Sequence, residues 1–493
     1  MFKKIRFRYV FVIYAIVLGV CVFSIYPAHD DFEYFSPHKN ENLLLRALPT
    51  RTFWRPVERT YEYFLGHFPY LFPYLNQSIA FLGHLLLCLI LYYILNNLTE
   101  KKIATWLGTL FFCLSPGIVQ TTGQPDFIGQ LETMMVGFIS AIFFFKAYNN
   151  HKFLYYLGWF VFAFVATLIK ENGIAWFLAP ILLNITYTYS ISNDKFLYIL
   201  KRHLNFILYA IISMIIYFTL RFILQEISTG EFGVSVSHTL IATRAERYSV
   251  NFNVLNILKN YCIMLGGALT VIDPLAFFLK PRNWTILTIT SGISFLFLFV
   301  ILKKLCEIFI NDKRIFVSLV LLLMCALFIN SPYCVMGHVR EGTAYEIVFF
   351  FSIILGVILA NSSNTKFKNY VLAIMFICMI CVSGHKFYVM HIYTSEVNSF
   401  LQEHKNDFYN IPSKIFVYYV EDIPDEGYSS YKYSLGHGLH RGYAFKSLWN
   451  WEPEVKTQSF KNMDDVNFTP ESLPEYDTVF ILTQSGSLKI LRN

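Results

Sequence analysis

Charge is scarce in this chain: only 15% of its 493 residues are Asp, Glu, Lys or Arg, while 55% are hydrophobic. A soluble protein of this length is excluded by that balance. Useful cysteine is also lacking. There are nine cysteines, most of them inside apolar runs, and none follows Cys381. The tail therefore holds no internal disulfide, and no Cys/His spacing of the metal-binding kind occurs. Neither an internal repeat nor a low-complexity linker is found. The net charge of +7 sits mostly in short loops, where it sets topology and does not indicate nucleic-acid binding.

What is present is a succession of apolar segments of about 20 residues over the first four-fifths of the chain. They predict a polytopic α-helical membrane protein. Candidate spans are 9–26, 75–96, 103–121, 127–147, 153–169, 174–189, 204–224, 285–302, 316–330, 345–360 and 370–384, about eleven transmembrane helices in all. The first follows the basic run from Lys3 to Arg8. Its apolar stretch exceeds a signal-peptide core, so we expect an uncleaved anchor. With the N-terminus cytoplasmic, the loops holding Lys101-Lys102, Lys146/Lys152, Lys195/Lys201/Arg202, Lys303-Lys304/Lys313-Arg314 and Lys366/Lys368 all fall inside. That parity requires segment 255–279, with Gly266-Gly267 and Asp273-Pro274, to be broken or re-entrant.

The same orientation puts 27–74, 122–126, 225–254 and 331–344 outside, with the tail from about residue 391. Residues 414–421 alternate like a strand, and 478–483 and 487–491 flank Gln484-Ser485-Gly486 as a hairpin would. The expected division is a transmembrane domain, 1–390, and a small extracytoplasmic α/β domain, 391–493.

Acids at a membrane surface need a reason, because carboxylates beside hydrocarbon are costly unless paired or solvated. Asp30 and Asp31 close the first span. They suit a general base with an orienting or metal-binding partner, or simply a helix cap. Arg46, Arg51, Arg55 and Arg59 follow in the first external loop. Arginine binds phosphate in fixed geometry, yet pairing with Glu41, Glu58 and Glu62 or with lipid headgroups explains them equally. Pro56 belongs in a helix's first turn, which sets Arg55 at its start. Asp126 lies in a turn, Thr122-Gly123-Gln124-Pro125-Asp126, where an acid is ordinary. Lys170-Glu171 joins two spans and reads most simply as an interfacial ion pair. His84 and Glu132 sit within spans and must be partnered. His338, Arg340 and Glu341 would share the face of Asp30.

Taken in order, these pieces resemble the GT-C superfamily of membrane glycosyltransferases, in its protein O-mannosyltransferase-like and TMTC-like branch. The likeness rests on His29-Asp30-Asp31-Phe32, Phe53-Trp54-Arg55-Pro56, Tyr74-Leu75-Asn76 with His84, the Thr122–Asp126 turn, Lys170-Glu171-Asn172-Gly173, and Val339-Arg340 before Tyr345. It covers about the first 360 residues. Gln124 stands where the family usually has arginine, and Arg340-Glu341 where it has Arg-Tyr. No tetratricopeptide repeats follow, unlike eukaryotic members, so a bacterial type is implied. The resemblance implies inverting sugar transfer from a polyprenyl-phosphate-linked donor to a hydroxyl acceptor on the outer face of the plasma membrane. Asp30, Asp31 and Asp126 would be the catalytic acids. Arg55, Lys170, Glu171, Arg340 and His338 would surround the donor phosphate. Some members use a divalent cation and others do not. Competing readings are a lipid-linked sugar flippase or transporter, a polysaccharide polymerase or ligase, and a non-catalytic scaffold. Transporters favour inverted repeats and polar residues at the midplane.

Overall fold

A computed structural model describes residues 7–28, 31–34, 42–50, 54–230, 236–237, 250–251, 253–271, 284–336, 341–363, 365–403, 414–420, 454–460, 478–482 and 488–492. Its helices are α1 (Phe7–Phe23), α2 (Asp31–Tyr34), α3 (Leu43–Arg46), α4 (Pro56–His67), α5 (Tyr74–Leu98), α6 (Lys102–Leu114), α7 (Val119–Gly123), α8 (Ile128–Asn150) and α9 (Phe153–Ile169). They continue with α10 (Ala179–Ile191), α11 (Phe196–Thr229), α12 (Val254–Leu269), α13 (Trp284–Asn311), α14 (Lys313–Ile329), α15 (Ser331–Val335), α16 (Tyr345–Asn361) and α17 (Lys366–Glu403).

Every apolar segment marked in the sequence coincides with one of these helices or a bent pair of them. Among the described residues six helices are long and apolar enough to cross a membrane, or up to eight if each bent pair is one span. α1, α9 and α12 are shorter apolar helices. The protein is thus a helical membrane protein. Its surface agrees: Ile13, Val20, Leu204, Ile215, Phe295 and Ile377 are exposed on helix faces, as lipid contact allows and water does not.

Local chemistry sets the helix ends. Asp312 caps α14 by accepting from the N–H groups of Arg314 and Ile315, and Asn253 does the same for α12. α11 stops at Gly230, whose φ of 69° suits glycine. The 103–121 segment bends by 49° between α6 and the Pro116–Gly123 stretch, where Ser115 accepts from the Gly117 N–H and Pro116 cannot donate. A second bend, of 45°, separates a 3-10 segment, Glu171–Phe177, from α10.

α16 is the central helix, buried on all sides along nearly its whole length against α5, α6 and α14. Lys201 and Arg202 lie inside α11, which begins at Phe196, not in the loop expected there. α12 packs against α15, α16 and residues 341–344, and the rest of the segment to 279 lies outside the described residues apart from Thr270 and Val271. α17 continues unbroken past residue 391 to Glu403. Two-residue strands β1 (Val236–Ser237) and β2 (Val250–Asn251) pair in parallel. In the tail, β3 (Lys414–Val420), β4 (Glu454–Phe460), β5 (Thr478–Leu482) and β6 (Leu488–Arg492) form one sheet ordered β4-β3-β5-β6. β5 and β6 are antiparallel, in keeping with the hairpin pattern, while β3 runs parallel to both neighbours.

Candidate functional site

Asp31 opens α2 and is 2% exposed. Its Oδ2 accepts the Ala28 N–H at 2.9 Å and its Oδ1 accepts the Asp126 N–H at 2.9 Å. The first contact closes the turn that leads into α2. The second ties the segment after α1 to the Pro125–Phe127 turn. Both oxygens thus hold backbone donors, which suits Asp31 to positioning. Asn76 strengthens the same junction: its Nδ2 donates to the Pro125 carbonyl at 2.9 Å and its Oδ1 accepts from the Tyr61 hydroxyl at 2.6 Å. Burial, then Glu132, raises the pKa of that tyrosine, keeping it a neutral donor. Gln77 donates to the carbonyls of Val22 and Ile25.

The loop arginines are paired. Pro56 occupies the first turn of α4 and Arg55 its N-cap, in keeping with the expectation from sequence. Arg55 grips Glu171 with two bonds, Nε to Oε1 at 2.6 Å and Nη2 to Oε2 at 2.7 Å, and gives Nη1 to Glu58 at 3.1 Å. Burial opposes the Arg55 charge, but Glu171 and then Glu58 outweigh it and raise its pKa. Arg46 and Arg59 both bond Glu62. Arg51 lies outside the described residues.

Lys170 differs. It sits at the end of α9, only 6% exposed, with its Nζ 5.1 Å from the centre of the Phe127 ring. Among the described residues its ammonium has neither a hydrogen bond nor an ion pair. Burial, and then the Arg55 charge, lower its pKa, against the opposing pull of Glu58, Glu171 and Asp126. Glu171 turns to Arg55, so the neighbouring Lys170-Glu171 pair expected from sequence is replaced by a bridge across 116 positions.

Beneath Lys170 lies a polar network. Asn172 Nδ2 donates to Glu346 Oε1 at 2.7 Å, and its Oδ1 accepts from the Tyr333 hydroxyl at 2.9 Å. The 341–344 segment joins through Gly342, whose N–H donates to Gln120 Oε1 at 2.7 Å. The Thr122–Asp126 stretch, expected as a tight turn, is mostly buried and is held by Asp31 on one side. His84 serves the packing of the bundle. Its two ring nitrogens meet the hydroxyls of Tyr14 and Tyr345 at 2.8 and 2.7 Å, linking α1, α5 and α16.

Of the residues named from sequence, Asp31, Asp126, Arg55, Lys170 and Glu171 gather at one end of the bundle. Asp30, His338 and Arg340 lie outside the described residues, as does the side chain of Glu341. Sequence reasoning missed Tyr333 and Glu346, and quoted Asn172 within a motif without giving it a role. An acid at the second residue of an apolar span, as Glu346 is, was the available signal. Among the described residues no group of three or more His, Cys, Asp or Glu is placed to hold a metal ion. No protein-family model matches the chain, and no curated protein matches it.

Proposed function

We propose that the chain is an inverting membrane glycosyltransferase that moves a sugar from a polyprenyl-phosphate donor to a hydroxyl acceptor at the outer membrane face. The observation that carries this reading is the Lys170 ammonium, on a buried side chain and without a hydrogen bond or ion pair among the described residues, with Asp31 holding the segment after α1 against the Pro125–Phe127 turn. A cation on a buried side chain, with no hydrogen bond or ion pair among the described residues, is arranged for an anion that arrives with substrate. The leaving group of such a transfer is a lipid phosphate.

In the step, the acceptor oxygen bonds to the anomeric carbon as the bond from that carbon to the phosphate oxygen breaks. The hydroxyl proton passes to a carboxylate, and the electron pair leaves with the phosphate. Lys170 donates to that phosphate. Asp31 already accepts two backbone N–H groups, so the base role falls to Asp30, with Asp31 as its positioning neighbour. Arg55 acts through Glu171, fixing the turn that carries Lys170. Arg340 and His338 enter as further donor-phosphate groups by the family resemblance alone. The proposed orientation has a cytoplasmic N-terminus and an extracytoplasmic α/β tail.

The test is transfer of radiolabelled sugar from a set of polyprenyl-phosphate sugars by the purified protein. Asp30→Asn is expected to keep donor binding and lose about 10²-fold or more in rate. Lys170→Met is expected to weaken donor binding as well. Failure of the wild type to bind or use any such donor would sink the reading and make lipid flipping the next activity to measure.

A further inference from the structure

The far end of the bundle carries a second cluster of charge, and it is positive. α6 runs from Lys102 toward the Thr122–Asp126 turn, and α16 runs from Glu346 away from it. Lys101 and Ser362 therefore stand at the opposite ends of these helices from the candidate site. At 17 residues, α16 separates the two ends by roughly 25 Å, about the thickness of a bilayer's apolar core.

Two buried lysines meet there. Lys304, on α13, is 5% exposed and Lys368, on α17, is 6% exposed. Lys304 Nζ donates to Ser363 Oγ at 3.0 Å, and Lys368 Nζ donates to the Ser363 carbonyl at 2.8 Å and to Ser362 Oγ at 2.9 Å. Two ammonium groups thus share one serine. α6 and α17 run side by side from this end, and Ser383 Oγ donates to the Leu114 carbonyl at 2.8 Å farther along, which sets Lys101 beside the first turn of α17 that carries Lys368. Lys304 uses its remaining hydrogens on Glu307, whose side chain is 39% exposed. Lys368 has a hydrogen left after its two bonds, and the Lys101 ammonium is exposed without a bond among the described residues. Lys101 and Lys368 stand at the starts of α6 and α17, where helix dipoles disfavour cations. Glu100 and Glu307 are too few to balance Lys101, Lys304 and Lys368 together with exposed Lys102 and Lys366.

We propose that Lys101 and Lys368 form a binding site for a phosphate group, supplied by the headgroup of an anionic phospholipid in the leaflet opposite the candidate site, with Lys304 reinforcing the field. The apolar faces of α6, α13 and α17 would carry the acyl chains. A phosphodiester between the two ammonium groups relieves their mutual repulsion and takes up the hydrogens left open. This proposal does not depend on the glycosyltransferase reading.

The test uses the full chain purified in a neutral detergent and titrated with phosphatidylglycerol, phosphatidylcholine or inorganic phosphate. Bound lipid is read by native mass spectrometry and stability by Tm. Phosphatidylglycerol is expected to bind saturably and raise the Tm, and phosphatidylcholine to do neither. Lys101→Ala should weaken phosphatidylglycerol about fivefold, and Lys101→Glu further. The Lys101 side chain is exposed and holds no other group in place, so these variants fold. Lys152→Ala, at an exposed lysine between α8 and α9, should leave affinity unchanged. Equal affinity in wild type and Lys101→Glu overturns the proposal, as does an equal loss in Lys152→Ala, which would mean diffuse surface charge. A Tm rise with inorganic phosphate equal to that with phosphatidylglycerol overturns the lipid assignment in favour of a soluble anion.

Discussion

Arg55 and Lys170 show how two cations of one cluster divide the work. Arg55 is held by a bidentate bond to Glu171, whose side chain is only 9% exposed. Removing one partner of such a pair leaves the other charge buried and alone. Arg55→Ala is therefore expected to destabilise the protein by about 3 kcal/mol, read as a fall in Tm, and Arg55→Lys by less. A Tm unchanged in Arg55→Ala would show that Glu171 does not depend on it. Lys170 makes a different prediction, because it binds an anion only while protonated. Its pKa lies below the ordinary lysine value of 10.5, chiefly through burial. A bound phosphate favours the charged form and raises it. Affinity for polyprenyl phosphate is thus full below the free-state pKa and falls as pH rises through it, by up to about tenfold per unit. Binding that stays flat through pH 10.5 would exclude Lys170 as the ligand. The residue types of this cluster were legible in sequence, since charges beside apolar runs stand out. Their pairing was not: Arg55 and Glu171 are 116 positions apart, and no local pattern links them.

At the level of elements, two close approaches hold the candidate site in place. A Cβ on Gly173 would meet the Ala166 carbonyl oxygen at 2.0 Å and carbon at 2.2 Å, both of them backbone. The 3-10 segment therefore lies against α9 at a distance only glycine permits, and Lys170 and Asn172 flank that contact. Gly173→Ala must push the two apart. It is expected to cost roughly 3 kcal/mol and to weaken donor binding together with stability. Gly137, whose Cβ would strike the buried Trp176 ring at 2.1 Å, fixes the other side of the same segment. A Gly173→Ala protein with wild-type Tm and wild-type donor affinity would mean that this contact is dispensable. The helices themselves were readable because an apolar run of membrane length leaves little else to form. Their bends were less so. Hydropathy averages over 103–121, whereas the 49° bend follows from Ser115 and Pro116, which a composition window passes over.

For the whole molecule, the arrangement of loops follows from helices that pair as antiparallel neighbours. α5 and α6, α8 and α9, and α13 and α14 each pack together across connections of a few residues. Such connections return the chain to the side it came from. Glu100, His151, Asp194 and Asp312, each on a short exposed connection, should therefore share one face of the membrane, and His67 and Thr229 the other. Single cysteines at these six positions, in a chain freed of its native cysteines, test this with a membrane-impermeant thiol reagent on intact cells. The proposed orientation expects labelling at His67 and Thr229 alone. Labelling of Asp194 from outside would mean that the Glu171–Ile191 bent pair does not cross. It would then move Lys170 relative to the bilayer and remove the setting in which its ammonium, unbonded among the described residues, is proposed to meet a lipid phosphate. Because the candidate site and the lysine cluster lie at opposite ends of α16, one labelling map bears on both proposals: it must put Glu100, next to Lys101, and His67, at the end of α4, on opposite sides.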